Sequence, residues 1–531
     1  MTKIYSNGGG GDPPRGGLSD AELDAMLAAA DSELLRYIRT HAHPEAGLLA
    51  MMAAHSRDLP PALAEPPITA APVRPAPATR LFGTDGVRGA AGHDLTARLA
   101  AELGVAAAAV LGGAGKDMPR RSVAVVGRDP RASGGCLEAA LVAGLASAGV
   151  DVFRLGVMPT PGVAYLTQAL GADFGVVISA GHNPAKDNGI KFFGRGGVKL
   201  PNTAEDRIEA RLRTIQRSGQ PGITEFGRIR EASAEQARYI DHLLSTLPGE
   251  PQSALAGLRV VADCAHGAAY RIAPQALRRA GAEVITIGAE PDGLNINAGC
   301  GSTSLGALAA AVVEHGADVG VAYDGDADRC LAVDANGQQL DGDQILTVLA
   351  TELKESGKLA RNAVVVTVMS NQGFHVAMRE AGIKVIETPV GDKYVSAAMR
   401  ESGYVLGGEQ SGHIILLEHA TTGDGILTSL HLLSAVRRRG VPMAAAAKTM
   451  RRYPQVVVDV PGDASRLGPQ VAAAVSWAEA ELGDNGRVLV RPSGTEPAIR
   501  LMVQAADTIP AQRVIGQLRH EVLLALAGDQ R

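Results

Sequence analysis

The sequence predicts an α/β protein made of three similar mixed α/β domains and a smaller α+β domain at the C-terminus. Two observations carry this prediction. From Arg80 onward, short β-type runs alternate with alanine-rich helical stretches, the rhythm of sheets covered by helices, and that rhythm recurs three times. From about Tyr453 the order changes to strand, helix, strand, strand, helix, which describes a different unit. A chain of 531 residues that is 46% hydrophobic has enough apolar material to give each unit a core.

Residues 1–79 read as an N-terminal extension ending in a linker. Asn7-Gly-Gly-Gly-Gly-Asp-Pro-Pro is a flexible start, and Ser19 or Asp20 caps a helix expected to reach about Arg39. A second short helix is expected near Glu45 to His55, before a proline- and alanine-rich stretch at 59–79. The first α/β domain, 80–248, has expected strands Val123–Val126, Val152–Leu155 and Phe174–Ile178, with helices near 94–111 and 136–148. The second, 249–335, follows a proline-containing break and has expected strands Val260–Ala262, Val284–Ile287 and Val319–Tyr323. The third, 336–450, has Val364–Val368, Val385–Glu387 and Ile414–Leu417, with helices near 344–355 and 424–438. The alternation argues for parallel sheets. The last domain, 451–531, has expected strands Val456–Val460, Val488–Val490 and Ile499–Val503 and helices near 465–481 and 511–526.

Lysine plus arginine (51) nearly balance aspartate plus glutamate (56), for a net charge of −5. No overall basic field draws nucleic acid or an anionic membrane, so a phosphorylated small substrate has to meet local basic groups. Cys136, Cys264, Cys300 and Cys330 stand far apart with no C-x-x-C pair, so neither a zinc site nor a disulfide framework is expected. No apolar run approaches the roughly 20 residues of a membrane helix, and no secretory pattern opens the chain. A cytoplasmic protein is expected.

The chemistry gathers in loops. Leu81-Phe-Gly-Thr-Asp-Gly-Val-Arg-Gly ends near Arg88, whose planar fork suits a phosphate or carboxylate. Ile178-Ser-Ala-Gly-His-Asn-Pro-Ala-Lys-Asp-Asn-Gly-Ile-Lys follows an apolar run and offers His182, Asn183 and Lys191 to one ligand. A lone histidine is more often structural; the combination is what makes this loop specific. Tyr323-Asp-Gly-Asp-Ala-Asp-Arg sets Asp324, Asp326 and Asp328 at alternate positions, able to converge on one hard cation, with Gly325 permitting the turn. An acidic surface turn is the plain alternative, and the apolar run before it disfavours that reading. The run also starts like an EF-hand, but Arg329 stands where that loop needs glycine. Gly407-Gly-Glu-Gln-Ser-Gly-His presents Glu409, Ser411 and His413. Arg491-Pro-Ser-Gly-Thr-Glu-Pro-Ala-Ile-Arg aligns Arg491, Ser493, Gly494, Thr495 and Arg500, whose hydroxyls, glycine amides and guanidinium groups suit a phosphate.

These loops closely resemble those of the α-D-phosphohexomutases, and the surrounding residues look most like the bacterial members that act on glucosamine phosphates. The resemblance runs from roughly Thr79 to the end. Gly127-Arg-Asp-Pro-Arg, Met158-Pro-Thr-Pro, Pro291-Asp-Gly-Leu-Asn-Ile-Asn and Gly391-Asp-Lys-Tyr-Val match in family order without suggesting chemistry of their own. The resemblance implies four domains around a central cleft and interconversion of glucosamine 6-phosphate and glucosamine 1-phosphate through a bisphosphate. It implies Mg²⁺ on Asp324, Asp326 and Asp328 with Arg329 beside them, Arg88 on the moving phosphate, and His182 and Lys191 at the reacting centre. It implies Glu409, Ser411, His413 and Lys393 as substrate-binding residues, with the Arg491–Arg500 loop holding the phosphate that is not reacting. Glucose or glucosamine 1,6-bisphosphate is the implied activator, a phosphosugar the implied partner and a homodimer an expectation; neither nucleic acid nor membrane is expected, and the partner of the extension stays open.

One position departs from the family. Where relatives carry the serine that accepts and returns the phosphoryl group, this chain has Gly181, which has no side chain to phosphorylate. Ser179 lies two residues away, up to ~7 Å along an extended segment, so in-line geometry would be lost. One reading is a phosphohexomutase that works slowly through Ser179, a bound bisphosphate or another carrier. Another is a non-catalytic sugar-phosphate binder or regulatory homologue. A third makes Gly181 an engineered or erroneous residue in an ordinary mutase. The retained Arg88, Lys191, three aspartates and phosphate loop favour recent loss, design or a changed mechanism over long drift.

Overall fold

The computed structural model describes residues 80–83, 85–112, 120–218, 225–463, 467–492 and 498–527; the expected N-terminal helices and linker lie outside them. The described residues form two compact units, which meet in sequence between Arg452 and Tyr453.

The larger unit contains three sheets. The first comprises β1 (Val87–Ala90), β2 (Val123–Arg128), β3 (Asp151–Val157), β4 (Phe174–Ile178), β5 (Asp187–Gly194), β6 (Val198–Lys199) and β7 (Ile229–Glu231), accompanied by α1 (Ala97–Leu111), α2 (Gly134–Ser147), α3 (Thr160–Ala169), α4 (Asn202–Ser218) and α5 (Gln236–Ser245). The second comprises β8 (Arg259–Asp263), β9 (Glu283–Ile287), β10 (Val319–Tyr323), β11 (Cys330–Asp334) and β12 (Gln339–Leu340), with α6 (Ala269–Arg279) and α7 (Gly306–Glu314). The third comprises β13 (Ala363–Thr367), β14 (Lys384–Thr388), β15 (Leu406–Gly408) and β16 (Ile414–Leu416), with α8 (Gly342–Glu355), α9 (Gln372–Glu380), α10 (Asp392–Ser402), α11 (Gly425–Arg439) and α12 (Met443–Ala447).

All three sheets share one plan. Two helical crossovers set three parallel strands, and a fourth strand turns back antiparallel to the third, giving β2-β3-β4 then β5, β8-β9-β10 then β11, and β13-β14-β15 then β16. The spatial order is fourth, third, first, second in each case. The threefold rhythm of the sequence is therefore a repeat of topology. The expectation of parallel sheets is corrected: each sheet is mixed. The strands that composition hides include β5, opening Asp187-Asn188-Gly189, and β15, Leu406-Gly407-Gly408. Such residues favour turns, and only pairing with a buried neighbour makes them strands.

This plan positions the loops. The segments 179–186, 324–329 and 409–413 each join the third strand to the fourth, at the carboxyl end of the parallel strands, where α/β sheets bind ligands. β4 and β10 are buried at all five positions, as strands covered on both faces must be. Two buried phenols brace the structure behind the loops: Tyr239 on α5 donates to Asp424 at 2.7 Å, and Tyr323 at the end of β10 pairs with Ser429 of α11 at 2.8 Å. Helix α8 starts two residues before its expected position because Asp341 and Gln344 form a capping box.

The smaller unit contains β17 (Gln455–Pro461), α13 (Pro469–Leu482), β18 (Gly486–Pro492), β19 (Ala498–Ala505) and α14 (Thr508–Ala527). Its antiparallel sheet runs β17-β19-β18, and Val460, Ile499, Leu501, Val503, Val514 and Leu518 lie in its core. The α+β order is the one expected.

Candidate active site

The first two of the equivalent loops converge at position 181. Gly181 has φ +56°, and a Cβ built on it would lie 3.3 Å from Asp326 Oδ1 and 3.6 Å from both Asp324 Oδ2 and Arg88 Nη2. A side chain here would point into the acidic turn. The approach is tight from the other side as well, since a Cβ on Gly325 would sit 2.5 Å from the Gly181 carbonyl oxygen. That carbonyl accepts instead from Arg131 Nη2 at 2.8 Å and Asn297 Nδ2 at 3.0 Å. Arg131, fully buried and paired with Asp129 at 2.8 Å, also donates to the carbonyls of Asn183, Pro184 and Asp187. It holds the loop by its backbone.

Ser179 belongs to the same scaffold. Its buried hydroxyl donates to Asp129 Oδ2 at 2.6 Å and accepts the Gly181 N–H at 2.9 Å. Both roles fix the loop.

Asp324, Asp326 and Asp328 are buried, with carboxylate oxygens within 4.8 Å of one another. Asp326 Oδ2 accepts from Thr160 Oγ1 at 2.6 Å and from Lys191 Nζ at 2.8 Å, while its Oδ1 has no partner. Asp324 Oδ1 accepts the Arg329 N–H at 3.2 Å, while its Oδ2 has no partner. Two bare buried carboxylate oxygens, both facing position 181, suit a hard divalent cation. Burial, with Asp328 and Asp326 beside it, holds Asp324 well above the usual carboxylate range. Asp328, despite its own burial, is held below that range by His413, Lys191 and Arg329. A cation would relieve this crowding.

Basic groups surround the turn. Lys191 Nζ lies between Asp326 and Asp85, the latter at 2.7 Å; burial opposes its charge, and those two carboxylates keep it protonated. Arg88 pairs with Asp85 and reaches Asn183 Oδ1 at 3.4 Å. A cavity of about 310 Å³ takes in Arg88, His182, Arg329, Asp392, Glu409 and His413. His182 is pushed down to about 4 by burial and by Arg329 and Arg88, so at neutral pH it is an uncharged imidazole.

Of the remaining sequence-predicted residues, Glu409 and His413 line this cavity and Lys393 does not. Glu409 Oε1 accepts the Gly391 N–H at 3.2 Å, and the Ser411 hydroxyl oxygen is buried without a partner. His413 places Nδ1 3.5 Å from Asp328 and Nε2 3.4 Å from Asp392, and Nε2 accepts the Gly423 N–H at 3.0 Å. Lys393 turns to Asn202 Oδ1 at 3.0 Å and lies over the Tyr394 ring. In the smaller unit Arg500 makes a two-point pair with Asp459 at 2.8 and 2.7 Å, opposite Arg491 across β18 and β19. Ser493, Gly494 and Thr495 lie outside the described residues. The structure adds Asp85, Arg131, Thr160, Lys199, Asn297 and Asp392, which sequence reasoning did not single out. Five of them stand in the short motifs that suggested no chemistry or in the Arg88 loop.

Domain-family models for phosphoglucomutase/phosphomannomutase match the chain in order. Alpha/beta/alpha domain I covers residues 79–218, domain II 237–337, domain III 341–453 and the C-terminal domain 456–521. The phosphoglucosamine mutase of Thermobifida fusca is 62% identical over 445 residues, 83% of this chain and 97% of that protein. That of Streptomyces griseus is 58% identical over 453 residues, 84% of this chain and 99% of that protein. Two solved structures share the fold. A Burkholderia thailandensis phosphoglucomutase/phosphomannomutase family protein gives a TM-score of 0.69 at 23% identity, over 84% of this chain and 97% of that one. Aspergillus fumigatus N-acetylphosphoglucosamine mutase, in complex with GlcNAc-6P and magnesium, gives 0.57 at 18% identity, over 84% and 96%. The chain belongs to the α-D-phosphohexomutase family, most like its bacterial phosphoglucosamine mutases.

Proposed function

We propose that the chain has the machinery to interconvert glucosamine 6-phosphate and glucosamine 1-phosphate through a bisphosphate, and that Gly181 stands at the phosphate-carrying position and removes most of its turnover. The observation that carries this reading is the direction of a Cβ at residue 181, 3.3 Å from the unpartnered Asp326 Oδ1 and 3.6 Å from Arg88 Nη2. A serine hydroxyl there would reach the reacting phosphate. Asp324, Asp326 and Asp328 are the residues to hold Mg²⁺, which when bound would offset charge on the phosphoryl group. Arg88 would bind that group through its fork, and Lys191, kept charged by Asp85 and Asp326, would hold a proton at the bridging oxygen. Glu409 and Ser411 would meet the sugar hydroxyls, and Arg491 and Arg500 carry guanidinium groups suited to a phosphate. The Aspergillus relative, solved with GlcNAc-6P and magnesium, supports the choice of a phosphosugar and this metal.

The second reading, a sugar-phosphate binder without turnover, is favoured by Ser179. Its hydroxyl is committed to Asp129 and the Gly181 amide, so Ser179 does not replace the missing nucleophile. A coupled mutase assay primed with glucosamine 1,6-bisphosphate, run beside Gly181→Ser, tests both. Serine in this left-handed conformation costs about 1–2 kcal/mol, and it is expected to raise kcat by at least about 10³-fold, given what removal of a nucleophile costs in other enzymes. Equal turnover in the two proteins would separate the reaction from position 181.

A further inference from the structure

Six side chains from the three parts of the larger unit form a closed ring beside the acidic turn. Lys199 Nζ pairs with Asp392 and, at 3.0 Å, with Asp85. Asp392 faces His413 Nε2 at 3.4 Å, and His413 Nδ1 faces Asp328 at 3.5 Å. Asp328 is 3.9 Å from Lys191, which returns to Asp85 at 2.7 Å. Carboxylates and nitrogen groups alternate around the whole circuit. Asp85, Lys191 and Lys199 come from the first sheet's segment, Asp328 from the second, and Asp392 and His413 from the third.

The ring couples two demands on the site. Lys191 is divided between Asp326 of the acidic turn and Asp85 outside it, while His413 faces Asp328 through Nδ1 and accepts the Gly423 N–H through Nε2 beside Asp392. Lys199 pairs with both outer carboxylates, with Arg88 also on Asp85, and its side chain is only 14% exposed, so solvent screens it little.

We infer that Lys199 and Asp392 are positioning residues that set how Lys191 is shared between Asp85 and the acidic turn, and thereby the balance between cation and phosphosugar binding there. Without the Lys199 ammonium, Asp85 draws Lys191 outward and the Asp392 charge is left uncompensated. The acidic turn then holds a divalent cation more tightly and an anionic sugar less tightly. Without the Asp392 charge, Lys199 turns wholly to Asp85, Lys191 is released to the acidic turn, and the surplus positive charge has the opposite effect. The two changes compensate because they sit on neighbouring links of one circuit.

The test uses the full chain and the variants Lys199→Met, Asp392→Asn, the double variant and Lys199→Arg, with thermal melts to establish that each folds. Mn²⁺ affinity is read by electron paramagnetic resonance, and glucosamine 6-phosphate affinity by calorimetry at saturating Mn²⁺. Expected are Mn²⁺ binding tighter by on the order of three- to ten-fold in Lys199→Met and weaker by a similar factor in Asp392→Asn. The double variant and Lys199→Arg should return to within about two-fold of the unaltered chain. Glucosamine 6-phosphate affinity should move in the opposite direction to Mn²⁺. Single variants that both weaken Mn²⁺, with the double variant weaker still, would overturn the inference and leave a merely structural pair; so would no change in any of them. The inference rests on the acidic turn holding a divalent cation, so an unaltered chain that binds no Mn²⁺ would overturn both. Failure of every form to bind the sugar, with the Mn²⁺ pattern intact, would overturn only the choice of sugar under Proposed function and the sugar half of this inference.

Discussion

Thr160 Oγ1 donates to Asp326 Oδ2 at 2.6 Å, and the Thr160 N–H donates to the Asp326 carbonyl at 2.9 Å. The first turn of α3 therefore clamps one residue of the acidic turn by side chain and backbone together. With Lys191 on the same oxygen, Oδ1 is left as the free atom facing position 181. A hydrogen bond to a charged group contributes about 1.5–3 kcal/mol. Thr160→Val is expected to weaken Mn²⁺ binding by roughly ten-fold or more. Unchanged affinity would show that the Thr160 hydroxyl has no part in orienting Asp326.

Arg131 has the opposite character: it touches no part of the cavity and carries the loop. Replacing it with methionine leaves buried Asp129 without its cation and strips a donor from the carbonyls of Gly181, Asn183, Pro184 and Asp187. Breaking a buried pair costs about 3–5 kcal/mol. Urea unfolding of Arg131→Met should show at least that loss; a change below 1 kcal/mol would contradict the role.

Gly325 permits the closest approach between the first two loops. Alanine there meets the Gly181 carbonyl oxygen at 2.5 Å and Ile296 Cδ1 at 2.8 Å, and overpacking of this kind costs about 1–3 kcal/mol. Gly325→Ala should lower thermal stability and weaken Mn²⁺ binding together. A loss confined to stability would mean that the loop separation does not govern the metal site.

The pH dependence of cation binding follows from Asp324. Its proton is retained above the ordinary carboxylate range, chiefly through burial and then Asp328, so a cation has to displace it. Mn²⁺ affinity should rise with pH as that proton leaves and fall on acidification, by at most about ten-fold per pH unit for one proton. Titrations from pH 5 to 9 would reveal the slope, and a flat profile would be inconsistent with a protonated Asp324 in the free site.

Stability below neutrality has a separate source. His431, on α11, bonds Thr246 through Nε2 at 2.9 Å and is pushed down to about 3 by burial, then by His419. The unfolded chain takes up this proton near pH 6.5, whereas the folded one resists until about 3, so the unfolded state binds more protons and stability falls as pH falls between those values. One such group contributes up to about 1.4 kcal/mol per pH unit. His431→Gln should flatten that part of the urea-derived stability profile; an unchanged slope would assign the acid loss elsewhere.

Much of the fold is legible because buried strands declare themselves by composition. Phe174–Ile178 and Val319–Tyr323 are apolar runs whose observed limits coincide with those expected, since strands covered on both faces need no polar alternation. The acidic turn is equally plain, because three carboxylates after such a strand require compensation. Strands β5 and β15 are not legible: their glycines and polar residues read as turns, and they become strands only by pairing.

The sequence by itself determined which residues carry charge, where carboxylates and guanidinium groups stand at short spacing, and that position 181 lacks a side chain. These are properties of residue types at short spacing, and a linear reading captures them. Tertiary structure alone decided where position 181 points, that Ser179 is occupied, and that Lys199 and Asp392 close a ring. Thr160 and Asp326 are 166 residues apart, and Lys199 and Asp392 are 193 apart. No local propensity encodes such pairs; they exist because the tertiary fold brings segments of different sheets to the same point.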